Sequence, residues 1–186
     1  MHNVILIHGH SGSPDHFWFP YVKNHLAAKG YQIWSPQLPD ALNPNLKIQL
    51  PYLLEHGMFT PETIIIAHSA GCPLTIALLE TLTVKIRQVI LVAGFITLTQ
   101  QLQSLNISPI IKNNYAWQKI RAATEELIIV NSNNDPWGCD DTQAKILLSN
   151  IGCGTLVVPY NEGHLGSDFF QQPYKEFPLL LRLIAQ

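Results

Sequence analysis

The chain has 186 residues, 13% of them charged, and a formal net charge of −2. That length suits a single domain, 1–186, able to bury a full core without disulfides or metal. So small a charge speaks against a nucleic-acid face or a polybasic membrane patch, and no apolar run approaches the ~18 residues of a membrane span.

The first apolar run of strand length covers residues 3–7 and leads into His8-Gly9-His10-Ser11-Gly12. Its glycines permit a tight turn whose backbone N–H groups can face an anion. Three readings stand at this point: an oxyanion loop, a plain turn, or a phosphate site, although the spacing of a P-loop is missing. His8 and His10 have no third residue at metal-ligand spacing, so no metal is expected. Residues 15–29 predict a helix, with Gly30 as its C′ residue. A second strand follows at 31–35, then Leu38-Pro39-Asp40, where Asp40 is expected to fix a turn. Residues 45–57 predict the next helix.

The third run, 63–67, drives into His68-Ser69-Ala70-Gly71, and a helical pattern over 70–82 follows. A strand, a serine between small residues and a helix form the context of a nucleophile elbow, a turn so sharp that it lifts the hydroxyl above the sheet edge. Ala67 stands where the common G-x-S-x-G pattern has its first glycine. His68 is expected to belong to the elbow and not to act as a base.

Residues 88–93 form the fourth run. The stretch from 95 to 125 is the least readable: 100–105 and 116–123 suit short helices, with Ser108-Pro109 between them. It has room for a crossover but not for a lid domain, so an open site is expected. The fifth run, 127–131, precedes Ser132-Asn133-Asn134-Asp135-Pro136-Trp137. Asp135 lies just past the strand's carboxyl end, where an acid can orient a histidine; an Asx-Pro turn is the alternative. Asp140 and Asp141 look like the cap and first turn of a helix over 140–150. After the sixth run, 155–159, comes Asn161-Glu162-Gly163-His164-Leu165, and residues 173–185 predict a last helix.

Runs that are continuous and not alternating imply a sheet covered on both faces. The expected architecture is a three-layer α/β sandwich around a six-stranded, mostly parallel sheet of order 2-1-3-4-5-6. In such a sheet ligands bind where the strand order reverses, which brings the His8–Gly12 loop beside Ser69. The N–H groups of Ala70 and His10 would then form an oxyanion hole. The chain order Ser69, Asp135, His164 is that of an α/β-hydrolase triad. Phe17, Trp18, Trp117 and Trp137 are candidates for the pocket.

These blocks resemble the compact serine hydrolase family of the α/β-hydrolase fold, the group of the retinoblastoma-binding serine hydrolase and YdeN-like proteins. The resemblance runs nearly end to end, through the strand-one loop, Leu38-Pro39-Asp40, His68-Ser69-Ala70-Gly71, Trp117-Gln118-Lys119-Ile120, Asn134-Asp135-Pro136 and Gly163-His164. It implies a minimal, lidless hydrolase with a Ser69–His164–Asp135 triad acting on small esters or amides, without cofactor or metal. It names no substrate. An acyltransferase or thioesterase would use the same residues, and a partner-binding protein could retain the scaffold alone.

Cys72, Cys139 and Cys153 are sparse, odd in number and widely spaced, as reduced thiols are. The amino end carries no basic stretch and no apolar core of signal-peptide length. The expectation is a cytoplasmic monomer or small homo-oligomer.

Overall fold

The computed structural model describes residues 2–185. Its strands are β1 (Asn3–Ile7), β2 (Gln32–Trp34), β3 (Thr63–His68), β4 (Ile86–Val92), β5 (Thr124–Val130) and β6 (Thr155–Val157). Its helices are α1 (Phe19–Ala28), α2 (Leu46–His56), α3 (Gly71–Leu79), α4 (Trp117–Ala122), α5 (Asp141–Ile151) and α6 (Pro178–Leu183). The sheet has the order β2-β1-β3-β4-β5-β6, and every neighbouring pair in it is parallel.

The continuous apolar runs are explained by two cores, one on each face. Ile5, Ile7, Ile65, Ala67, Val89, Leu91, Leu127 and Ile129 face α2, α3, α4 and α5. Val4, Leu6, Ile64, Ile66, Ile90, Val92, Ile128 and Val130 face α1 and α6. Successive strand residues point to opposite faces, so a strand buried on both must be apolar at every position. Helix α3 is buried along its whole length, between β3 beneath and its neighbours α2 and α4. That location accounts for its lack of a polar face.

Several boundaries differ from expectation for local reasons. Helix α1 starts at Phe19, not at residue 15, because Phe17 has a left-handed backbone (φ 52°) and Pro20 fits only the first helical turn. Tyr174 is likewise left-handed, so α6 waits for Pro178. The crossover after β4 contains two short 3₁₀ turns, Leu102–Ser104 and Ser108–Ile110, before α4. Pro109 lies inside the second turn, where the expectation had it only separating helices.

The strand order reverses between β1 and β3. Everything that leaves the carboxyl ends of β1, β3, β4, β5 and β6 therefore meets at one edge.

Candidate active site

At that edge Ser69 joins β3 to α3 in the left-handed region, with φ 52°. A non-glycine residue held there stores roughly 1–3 kcal/mol of strain, which the surroundings must fix in place. The Ser69 N–H donates to Val92 O at 2.9 Å. Gly71 completes the turn: a Cβ on it would stand 2.6 Å from Ile7 O and 2.8 Å from His8 O, so no other residue fits without moving β1. Ala67, in contrast, lies inside β3 with its methyl in the core, and the turn forms around it.

The loop after β1 packs directly on this elbow. A Cβ on Gly9 would lie 2.8 Å from Ser69 Cβ. Buried His8 anchors the loop through both ring nitrogens. Nδ1–H donates to Gly9 O at 2.9 Å, and Nε2 accepts from the Leu38 N–H at 3.0 Å. This second bond requires a neutral ring, and burial holds the His8 pKa below its ordinary value. Asp40, itself left-handed, closes a turn by accepting from Asn43 Nδ2 at 3.0 Å, and Ser11 N–H donates to Ala41 O at 2.7 Å. Asp40 thus braces the loop from outside. Among the described residues, the N–H groups of His10 and Ala70 have no hydrogen-bond acceptor. One lies in this loop and the other just ahead of α3, where helical N–H groups are left without intrahelical partners.

Asp135, on the loop after β5, and His164, on the loop after β6, are both buried. Asp135 Oδ2 and His164 Nδ1 are 2.7 Å apart, and His164 Nε2 lies 2.9 Å from Ser69 Oγ. Asp135 Oδ1 accepts from the Trp137 N–H at 2.8 Å. One residue therefore closes an Asx turn with one carboxylate oxygen and reaches His164 with the other. Asp140 caps α5 by accepting from the Thr142 N–H, and Asp141 pairs with Lys145; neither reaches His164. His68 points under the site, its Nε2–H donating to His164 O at 3.0 Å.

Burial, reinforced by the neighbouring His164 ring, brings the His68 pKa down to about 3. An unfolded histidine takes up its proton near pH 6.5 while folded His68 does not, so stability is full above that value and falls as the pH drops toward 3. The slope expected from this one residue is about 1.4 kcal/mol per pH unit. Urea unfolding from pH 7 to 5 should show it, and His68→Gln should lose about one proton's worth of the dependence. An unchanged slope in that variant would assign the acid sensitivity elsewhere.

The cleft above Ser69 has a volume of about 170 Å³. Phe17 and Trp137 line it. Trp18 and Trp117 do not, which corrects the expectation for both. Trp18 is fully buried below the elbow, edge-on to His68, with its Nε1–H bonded to Leu165 O at 3.0 Å. The left-handed turn at Phe17 sends adjacent aromatics to opposite sides. Trp117 opens α4 and packs against Tyr115 beside a separate surface groove. The missed lining residues are Leu102, Leu105 and Ile107 from the crossover, and Asp168 and Phe169 beyond His164. The crossover leaves the same sheet edge, so topology alone pointed there, while its side chains gave no periodic signal.

Asp135, Cys139 and His164 also place potential metal donors within 4.8 Å of one another. Asp135 and His164 spend those atoms on each other, and burial with the Asp135 charge drives the Cys139 thiol well above its ordinary pKa, which keeps it protonated. A metal at this donor set would have to compete with that bond. The arrangement suits proton transfer from a serine to a histidine, next to two N–H donors.

A family model described as serine hydrolase matches residues 4–185. YdeN of Bacillus subtilis (strain 168), described as a hydrolase, is 32% identical over 135 residues, 71% of this chain and 70% of that protein. The crystal structure of the ydeN gene product superposes with a TM-score of 0.88 at 27% identity, over 98% of this chain and 96% of that one. Est1E of Butyrivibrio proteoclasticus, solved with ferulic acid bound, shares the fold with a TM-score of 0.71 at 13% identity, over 100% of this chain and 90% of its own.

Proposed function

Because the chain belongs to the serine hydrolase family, we propose that Ser69 is its nucleophile, His164 its general base and Asp135 the acid that orients the base, and that it cleaves small carboxylic esters. The observation that carries this reading is the unbroken run of short contacts from Asp135 Oδ2 through the His164 ring to Ser69 Oγ, 2.7 and 2.9 Å long. Ser69 Oγ attacks the carbonyl carbon as its proton passes to His164 Nε2. The Ala70 and His10 N–H groups hold the resulting oxyanion, a kind of contact worth ~10²–10³ in turnover per donor. The tetrahedral intermediate collapses, the C–O bond to the alcohol breaks, and the departing oxygen takes the proton from His164. Water then attacks the acyl-enzyme by the same route, releasing the acid and restoring Ser69 and neutral His164. Amides and thioesters present the same carbonyl.

The cleft wall of Leu102, Leu105, Ile107, Trp137 and Phe169 suits an apolar substituent, and a volume near 170 Å³ has room for about a benzene-sized group. Among the described residues the lining includes the Asp168 carboxylate and no lysine or arginine. Neutral esters should therefore be preferred to anionic ones. Hydrolysis of p-nitrophenyl butyrate should exceed that of p-nitrophenyl hemisuccinate by about two- to fivefold at low ionic strength, and the gap should close in salt, because exposed charges act weakly and are screened. Equal or better turnover of the hemisuccinate would refute the substrate assignment. No described helix is long and apolar enough to cross a membrane. The three cysteines are free thiols, as a reducing cytoplasm would keep them.

A further inference from the structure

The His164 loop is held by side chains, and the pattern is regular. Four successive backbone N–H groups donate to side-chain oxygens. Asn161 N–H bonds to Asn133 Oδ1 at 2.7 Å, Glu162 N–H to Ser132 Oγ at 3.0 Å, and Gly163 N–H to Asn134 Oδ1 at 2.9 Å. These three acceptors directly precede Asp135, so the acid and base loops are stitched together residue by residue. The fourth donor, His164 N–H, bonds to Gln172 Oε1 at 2.8 Å.

Gln172 belongs to a different structure. Its backbone bridges Ser167 in both directions, at 2.9 and 2.7 Å, and closes a loop that carries Asp168, Phe169 and Phe170. Phe169 lines the cleft, and the Phe169 and Phe170 rings lie 5.2 and 5.0 Å from the Trp137 ring. The Trp137 N–H in turn holds Asp135 Oδ1. Gly163 is shaped to this contact: a Cβ on it would stand 1.9 Å from Gln172 Nε2. A side chain at position 163 would displace the amide.

We infer that Gln172 is a positioning residue, one that fixes His164 against Ser69 and ties that register to the aromatic mouth of the cleft. The inference rests on the proposed roles of Ser69 and His164. Without the Gln172 oxygen, the His164 N–H loses its acceptor and the segment gains freedom at the base. A misplacement of about 1 Å there can cost up to ~10²-fold in rate. Substrate contacts at Phe169 remain, so binding is spared.

The test compares Gln172→Met, close in length but without an acceptor, with Gln172→Glu, which keeps the oxygen. Gln172→Met is expected to lower kcat on p-nitrophenyl butyrate by about tenfold or more with KM within about twofold, and Gln172→Glu to recover to within about threefold of the parent. A merely structural role would not produce that split or that rescue. Gln172→Met with the parent's kcat, or a folded Gln172→Glu as slow as Gln172→Met, would overturn the inference. Amide exchange in the unmodified protein gives a second reading that needs no variant: the His164 N–H should be protected, and exchange at the rate of a free amide would equally overturn it. Failure of the underlying triad reading looks different, since the parent itself would then lack Ser69-dependent turnover.

Discussion

Replacing Ser69 by alanine is expected to lower ester turnover about 10⁶-fold while leaving a folded protein. Among the described residues the hydroxyl makes one hydrogen bond, with His164 Nε2, so its removal costs little structure. It also relieves none of the left-handed strain, because alanine still carries a Cβ at φ 52°. His164→Ala should fall to the same floor. On the proposed mechanism the two residues act as one proton-transfer unit, so the double variant should be no slower than either single one. Any rate that remains reports the oxyanion donors and binding. Steady-state kinetics at high enzyme concentration checks this, and additive losses would mean that the two residues act independently.

Asp135→Asn is expected to cost about 10⁴-fold in kcat. The direction follows from the partner of the other carboxylate oxygen. Oδ1 accepts from the Trp137 N–H, and an asparagine would keep its carbonyl oxygen there. Its Nδ2 would then occupy the position of Oδ2, 2.7 Å from His164 Nδ1. An amide nitrogen donates, so Nδ1 would have to accept and the ring proton would move to Nε2. In that tautomer Nε2 has no free pair for the Ser69 proton. Geometry would be retained and the base lost. A variant within tenfold of the parent would show that the carboxylate does not set the tautomer.

Legibility in the sequence followed from how local each constraint is. The central strands were readable because burial on both faces demands apolar residues throughout, as in Ile64-Ile65-Ile66. The short edge strands β2 and β6 were read too long, since their paired registers stop at Trp34 and Val157 and leave Ser35 and Pro159 beyond the strands. Ser69 was singled out by strand, small residues and helix together, and Asp135 and His164 by their places after successive strands; the fold brings these three side chains within hydrogen-bond distance of one another. The cleft wall was not visible. Residue type does not say which side of the chain an aromatic leaves, and the left-handed turn at Phe17 separates it from Trp18. The crossover leucines follow no period, because 3₁₀ turns of three residues are too short to show one. Gln172 and Ser132-Asn133-Asn134 hold the His164 loop through bonds made across 8 to 30 positions, and nothing local marks such bonds.

The most direct measurement is labelling of the purified protein with a fluorophosphonate probe, run beside its Ser69→Ala variant. An activated serine held by His164 should be labelled in the parent and not in the variant, with the adduct on the peptide that contains Ser69. A folded, monodisperse parent that stays unlabelled, or a variant labelled as well as the parent, would contradict Ser69 as the nucleophile.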